Sequence, residues 1–295
     1  MGIEMATSPS VSVKEPILAC PVCGEPLGQI ERTYRCANDH TFDIARERYV
    51  NLLLAQHRHS KDPGYSKQMI ASRRRFFETT HYQPLADRMA ALIVAQLPHY
   101  CDSLVIDAGC GEGYYLRRLR AQLPPEGLVR TTLCGIDISK HAIRAAARLD
   151  PDGLYAVAGI HRMPVLPGRV DVLLSHFSPV SASEFRRVVR PGGVVLVGEP
   201  GERHLFSFKR LLYHTPEPHG SRAVLTGESG FEATIDYRIH YDISLRGPGQ
   251  VADLLAMTPF YWSVGADTQA ALADVDALDT EVDVVVRGYR LTGVD

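Results

Sequence analysis

The stretch Val105–Leu116, reading V-I-D-A-G-C-G-E-G-Y-Y-L, constrains this 295-residue chain more than any other. Leu104, Val105 and Ile106 form an apolar run that ends in Asp107. Gly109-Cys110-Gly111-Glu112-Gly113 forms a glycine turn, and Tyr114–Leu116 opens a helix with Arg117, Arg118 and Leu119. Strand, tight turn and helix start are the first unit of a doubly wound α/β sheet. Glycines without a Cβ let the backbone pass close to a ligand. Nucleotide-binding domains and plain turns share this glycine spacing, so the glycines alone do not choose a ligand.

Two acids choose it. Asp107 sits just before the glycines, where a pyrophosphate-binding turn avoids extra negative charge. A second apolar stretch, Thr131–Ile136, ends in Asp137, placed to accept hydrogen bonds from ribose hydroxyls. The pair suits a ligand that is cationic and lacks phosphate. Asp107 with Asp137 resembles the site of class I methyltransferases, which bind S-adenosylmethionine through its sulfonium and amino groups. The implied fold is α/β, a class I (Rossmann-like) methyltransferase domain.

Before that domain, Ala19–His40 carries the pattern C-x2-C-x12-C-x3-H through Cys20, Cys23, Cys36 and His40. Three thiolates and one imidazole fill a tetrahedral zinc site with no open position for water, which makes the metal structural. So short a module has little core, and zinc supplies much of its folding energy. The chain therefore divides into a disordered leader (1–15), a zinc-ribbon domain (16–55), a basic linker with helices (56–100) and a methyltransferase domain (101–295). Phe42, Ile44, Tyr49, Val50 and Leu52–Leu54 are expected to pack the zinc module onto the rest of the chain.

Bulk numbers set the context. No apolar run reaches transmembrane length, and the leader has no secretory layout. A cytosolic, reducing setting is expected, with no membrane partner. A net charge of -2 gives no global attraction to nucleic acid, so any such contact needs a local patch. Arg58 and Lys61 in the linker, with Arg73, Arg74 and Arg75 on a helix over Ser66–Thr79, form the candidate phosphate stripe. The alternative is a solvated basic face.

Helices are expected over 85–96, 139–148 and 184–189, the second capped by Ser139. Strands are expected over 155–158, 170–174 and 194–197. Arg190-Pro191-Gly192-Gly193 reads as a turn before the last of these. Phe231–Arg246 and Glu281–Arg290 read as further strands. Phe177-Ser178-Pro179, after the fourth strand of the sheet, is the candidate acceptor pocket.

The ordered set of zinc module, D-P-G linker, H-Y-Q-P-L, G-C-G-E-G-Y-Y, R-P-G-G, R-H-L and M-T-P-F-x-W resembles the bacterial 23S ribosomal RNA guanine-N1 methyltransferases. The resemblance runs from Cys20 to the final strand. It implies a homodimer and a guanine in a 23S RNA hairpin near the peptide exit tunnel. One branch of that family is linked to tylosin-type macrolide resistance. By motif, Cys20, Cys23, Cys36 and His40 match the zinc ligands, and Tyr82, Gly111, Glu112 and His204 match positions that touch the donor. Gly109 joins them in the turn. The chain departs from the family at Phe177-Ser178-Pro179, where an aromatic-Ala-Pro segment is expected. The residues name no catalytic base. Two rival readings fit the same residues: a methyltransferase of this fold acting on a small purine-like metabolite or antibiotic, and a zinc-ribbon RNA-binding protein without catalysis.

Overall fold

The computed structural model describes residues 16–57, 64–98, 101–123, 130–220, 225, 227–247 and 249–293. The leader 1–15, Arg58 and Lys61 lie outside the described residues.

The zinc module is a three-stranded antiparallel sheet of β1 (Gly28–Ile30), β2 (Thr33–Arg35) and β3 (Thr41–Asp43). The next strand, β4 (Tyr49–Asn51), leaves that sheet and enters the main one. Helices α1 (Lys67–Glu78) and α2 (Gln83–Val94) come after it. Ser66 caps α1 by accepting the Met69 N–H at 3.2 Å. Then come β5 (Ser103–Ala108), α3 (Tyr114–Arg120), β6 (Thr131–Asp137), α4 (Lys140–Leu149) and β7 (Leu154–Val157). The chain continues through β8 (Val170–His176), α5 (Ala182–Val188), β9 (Val189–Pro200), α6 (Phe206–Leu212) and β10 (Phe231–Arg246). It closes with α7 (Gln250–Ala256), α8 (Ala266–Ala273) and β11 (Ala277–Leu291). Ser139 caps α4 as expected, accepting from the Ala142 N–H.

The main sheet has eight strands in the order β10-β11-β9-β8-β5-β6-β7-β4. Strands β4 to β9 in that sheet are mutually parallel, and β11 and β10 run antiparallel to their neighbours. From β5 the chain winds outward through β6 and β7, then returns to β8 and β9 on the other side. The crevice between β5 and β8, at the carboxyl ends of the strands, is the switch point where ligands bind in such sheets.

Every residue of β5 and β8 is buried, as central parallel strands require. Alternate residues serve two cores. Val105 packs in one with Phe76, Leu85, Leu116, Ile143 and Leu254, contributed by five helices. Leu104 and Ile106 pack in the other with Phe185 and Val188 of α5.

Two features differ from the sequence reading. Arg190-Pro191-Gly192-Gly193 does not interrupt the chain before the strand but lies inside β9. The register jumps from Val170↔Val189 to Val172↔Val194, so the extra residues are absorbed as a bulge, with Gly192 at φ +77°. The end of the zinc segment packs onto the rest of the chain as expected, but does so as a strand of the main sheet. Tyr49–Asn51 pair in parallel with Tyr155–Val157, and Leu18, Leu27, Val50 and Leu52 share one apolar cluster with Ala156 of β7. The backbone fastens the module further through Ala19 N–H to Pro164 C=O at 3.0 Å and Leu166 N–H to Ile17 C=O at 3.0 Å.

Candidate functional site

The zinc ligands come from two knuckles, one before β1 and one after β2, side by side at the open end of the hairpin. Their donor atoms lie within 4.8 Å of one another, with Cys20 and Cys36 buried. Cys23 Sγ and Cys36 Sγ are 3.7 Å apart, and Cys36 Sγ lies 3.4 Å from His40 Nδ1. Tetrahedral zinc with Zn–S near 2.3 Å and Zn–N near 2.0 Å sets edges of about 3.8 and 3.6 Å. The four residues fit that ion, with His40 binding through Nδ1.

At the switch point lies a cavity of about 610 Å³. Its walls include Gly109 after β5, Asp137 and Ile138 after β6, Gly159 and Ile160 after β7, and Phe177, Ser178 and Pro179 after β8. Ala19, Cys20, Pro21 and Gly24 of the first zinc knuckle complete the rim. The donor and acceptor segments expected from the sequence therefore face one space.

The glycine turn is built for close approach. Gly109 has φ +93°, and a Cβ there would lie 2.5 Å from Ser178 Cβ. The Gly111 N–H donates to Asp137 Oδ2 at 2.9 Å, and the Ser139 N–H donates to Oδ1 at 2.8 Å. These bonds aim Asp137 at the cavity. Burial still pushes the Asp137 carboxyl above the usual carboxylate range, against the two backbone donors. Asp107 is 2 % exposed and its Oδ2 has no hydrogen-bond partner. Burial, then the nearby Asp137 charge, push it up to about 8. These acids leave the turn short of positive charge.

Tyr82, Glu112 and His204 form a deeper group that does not line the cavity. Glu112 is fully buried, with Oε2 paired to Arg73 at 2.7 Å and Oε1 without a partner. His204 Nδ1 accepts the Asp283 N–H at 3.2 Å, which fixes the proton on Nε2, 3.5 Å from Tyr82 Oη. Burial and the neighbouring His219 hold the His204 imidazole neutral, down to about 3. Phe177 bridges the two groups: it lines the cavity, and its ring centroid lies 4.0 Å from His176 and 5.1 Å from His204.

The acceptor segment owes its shape to its unexpected serine. Ser178 Oγ donates to Ala108 C=O at 2.6 Å and lies 2.9 Å from Ser175 Oγ. Phe177 adopts φ +53°, a strained conformation for an aromatic residue, and is 40% exposed.

The arginine stripe does not form as read. Successive helical residues point about 100° apart, so residues 73, 74 and 75 cannot share a face. Arg73 turns inward to Glu112, Arg75 pairs with Asp253 of α7, and Arg74 pairs with Glu78 at the surface. Arg73, expected from the sequence as a phosphate contact, lies instead against Glu112. The signal for its true place was its position three and four residues from the buried Ile70, Met69, Phe76 and Phe77.

A switch-point cavity with acids after the first two strands and no phosphate cradle, beside a Cys3His knuckle, defines an S-adenosylmethionine-dependent methyltransferase of class I with an N-terminal zinc ribbon. Comparison with known proteins agrees. The zinc-ribbon model described as "RlmA, N-terminal" matches residues 18–61, and a "Methyltransferase domain" model matches 105–193. The 23S rRNA (guanine(748)-N(1))-methyltransferase of Streptomyces fradiae is 38% identical over 64% of this chain and 65% of its own length. A putative 23S rRNA (guanine-N(1)-)-methyltransferase of Micromonospora griseorubida is 38% identical over 64% of this chain and 68% of its own. A protein of the same description from Bacillus subtilis is 29% identical over 90% of this chain and 94% of its own. The chain belongs to the 23S rRNA (guanine-N1)-methyltransferase family. No helix among the described residues is long and apolar enough to cross a membrane.

Proposed function

We propose that this protein methylates N1 of a guanine in a 23S rRNA hairpin near the peptide exit tunnel. The observation that carries the reading is the cavity that joins Asp137 and Gly109 to Phe177–Pro179. A donor held on the β5–β6 side and a base entering on the β8 side meet in one space.

When bound, the donor supplies a methyl group activated by a sulfonium. The chain's work is then alignment. Asp137 takes the ribose, and the Gly109–Gly113 turn lets the donor lie against the backbone. Phe177, exposed and strained, offers a ring face on which an extruded guanine stacks. When bound, the donor would supply the methyl that takes the place of the N1 proton, and that proton would pass to solvent. Ser178 holds the stacking loop against Ala108 and so sets the distance between donor and base.

The zinc knuckle on the cavity rim supports a reading in which the RNA touches both parts of the protein. Arg74, exposed beside Glu78, with Arg58 and Lys61, supplies phosphate contacts. A homodimer and a cytosolic location complete the proposal. The exposed edge strand β10, sixteen residues long, offers a surface for the second copy.

The test is methyl transfer to 23S rRNA from a strain lacking this gene, followed by mass spectrometry of the RNA fragments. A methyl on guanine N1 in one hairpin supports the reading. Transfer only to a free purine or a macrolide would replace it with the small-molecule reading, and donor binding without transfer would leave an RNA-binding protein.

A further inference from the structure

We propose that Arg73 grips the α-carboxylate at the methionyl end of the methyl donor. This rests on the reading of Asp137 and the glycine turn as the donor site.

Arg73 reaches that site from α1. Its side chain is 14 % exposed. Of its five N–H groups, Nε–H is engaged, donating to Glu112 Oε2 at 2.7 Å, and no partner among the described residues takes Nη1 or Nη2. The guanidinium carbon lies over two aromatic rings, 4.9 Å from the Phe77 centroid and 5.7 Å from that of Tyr65. The Nη1 and Nη2 edge is left without a partner among the described residues. That edge matches a carboxylate, which accepts two parallel N–H bonds.

Arg73 sits directly against the residue that anchors Asp137. A Cβ at Gly111 would lie 3.4 Å from Arg73 Nε and Nη2, and the Gly111 N–H is the group bonded to Asp137. A ribose on Asp137 therefore sends its amino-acid tail along the turn and past the guanidinium.

The acids supply the other half of an amino-acid zwitterion. Glu112 Oε1 and Asp107 Oδ2 are buried acceptors without partners. An α-ammonium satisfies them while the α-carboxylate satisfies Nη1 and Nη2. A phosphate in the same place would be repelled by the buried carboxylates Asp107 and Glu112. Arg73 thus acts as a positioning residue that reads the donor's zwitterion.

The experiment compares two ligands by calorimetry: S-adenosylhomocysteine, and its decarboxylated analogue, which keeps the amine. Wild-type protein should prefer the first. Arg73→Gln should weaken S-adenosylhomocysteine by roughly 10- to 100-fold, the range for losing a charge-assisted hydrogen-bond pair, and weaken the analogue much less. Arg73→Lys keeps the charge without the fork and should fall between them, which guards against a glutamine variant that fails to fold. Equal weakening of both ligands would make Arg73 a merely structural residue and overturn the proposal, as would an unchanged preference. Wild-type protein that binds neither ligand would instead overturn the donor-site reading itself.

Discussion

Asp137 and Gly111 are joined by a hydrogen bond of 2.9 Å, from the Gly111 backbone N–H in the glycine turn after β5 to the Asp137 carboxylate at the end of β6. The bond makes the ribose anchor and the turn one unit. Neither can shift without the other, so donor affinity depends on both.

Asp137→Ala should remove the ribose contact and free the turn. S-adenosylhomocysteine affinity should fall by about 10- to 150-fold, equivalent to about 1.5–3 kcal/mol for a charge-assisted bond. Calorimetry on the variant checks this, and wild-type affinity would remove Asp137 from the site.

Donor binding should release a proton. Burial and the neighbouring Asp137 push Asp107 up to about 8, so at neutral pH it is mostly protonated before the donor binds. A bound cation favours the carboxylate and lowers that value. Affinity should therefore rise with pH up to about 8. Calorimetry in buffers of different ionisation heat measures the release, and Asp107→Asn should abolish it. The same group binds more protons folded than unfolded between its ordinary value and about 8. It should therefore lower stability as pH rises through that window, and the asparagine variant should lose that slope.

One zinc per chain should be found by elemental analysis. Chelation or Cys36→Ser should loosen the module and the β4 edge, because Cys20 and Cys36 share a cluster with Leu18, Val50, Leu52 and Ala156. The melting temperature should fall by roughly 5 °C or more, since each kcal/mol is worth about 2–4 °C in a domain this large. A metal-free protein with an unchanged melt would sink the assignment.

Phe177→Ala should separate acceptor from donor. The ring is 40% exposed and lies at the acceptor end of the cavity. Methyl transfer to RNA should drop by roughly 10-fold or more, from loss of about 1–3 kcal/mol of base stacking, while S-adenosylhomocysteine affinity holds. Equal loss of both would make Phe177 part of the donor pocket.

What the sequence determined was local chemistry at fixed spacing. Cys20, Cys23, Cys36 and His40 had to converge, because two knuckles joined by a hairpin leave few other arrangements. Asp107, the glycines and Asp137 were legible because each ends a strand or makes a turn, and the apolar runs of β5, β6 and β8 could only be buried parallel strands. Ser139 was legible as a cap, and α4 begins one residue after it. The tertiary structure decided what lies far apart in the chain. It set Arg73 against Glu112, 39 positions away, turning an expected phosphate contact into a buried ion pair. It placed Tyr49–Asn51 on the edge of the catalytic sheet and drew β9 straight through Arg190–Gly193. It gave Ser178 its bond to Ala108, 70 positions away. The reason is physical. A cap, a turn or a ligand spacing is satisfied within a few residues, whereas the partner of a buried charge or of an edge strand is fixed only when the whole chain packs.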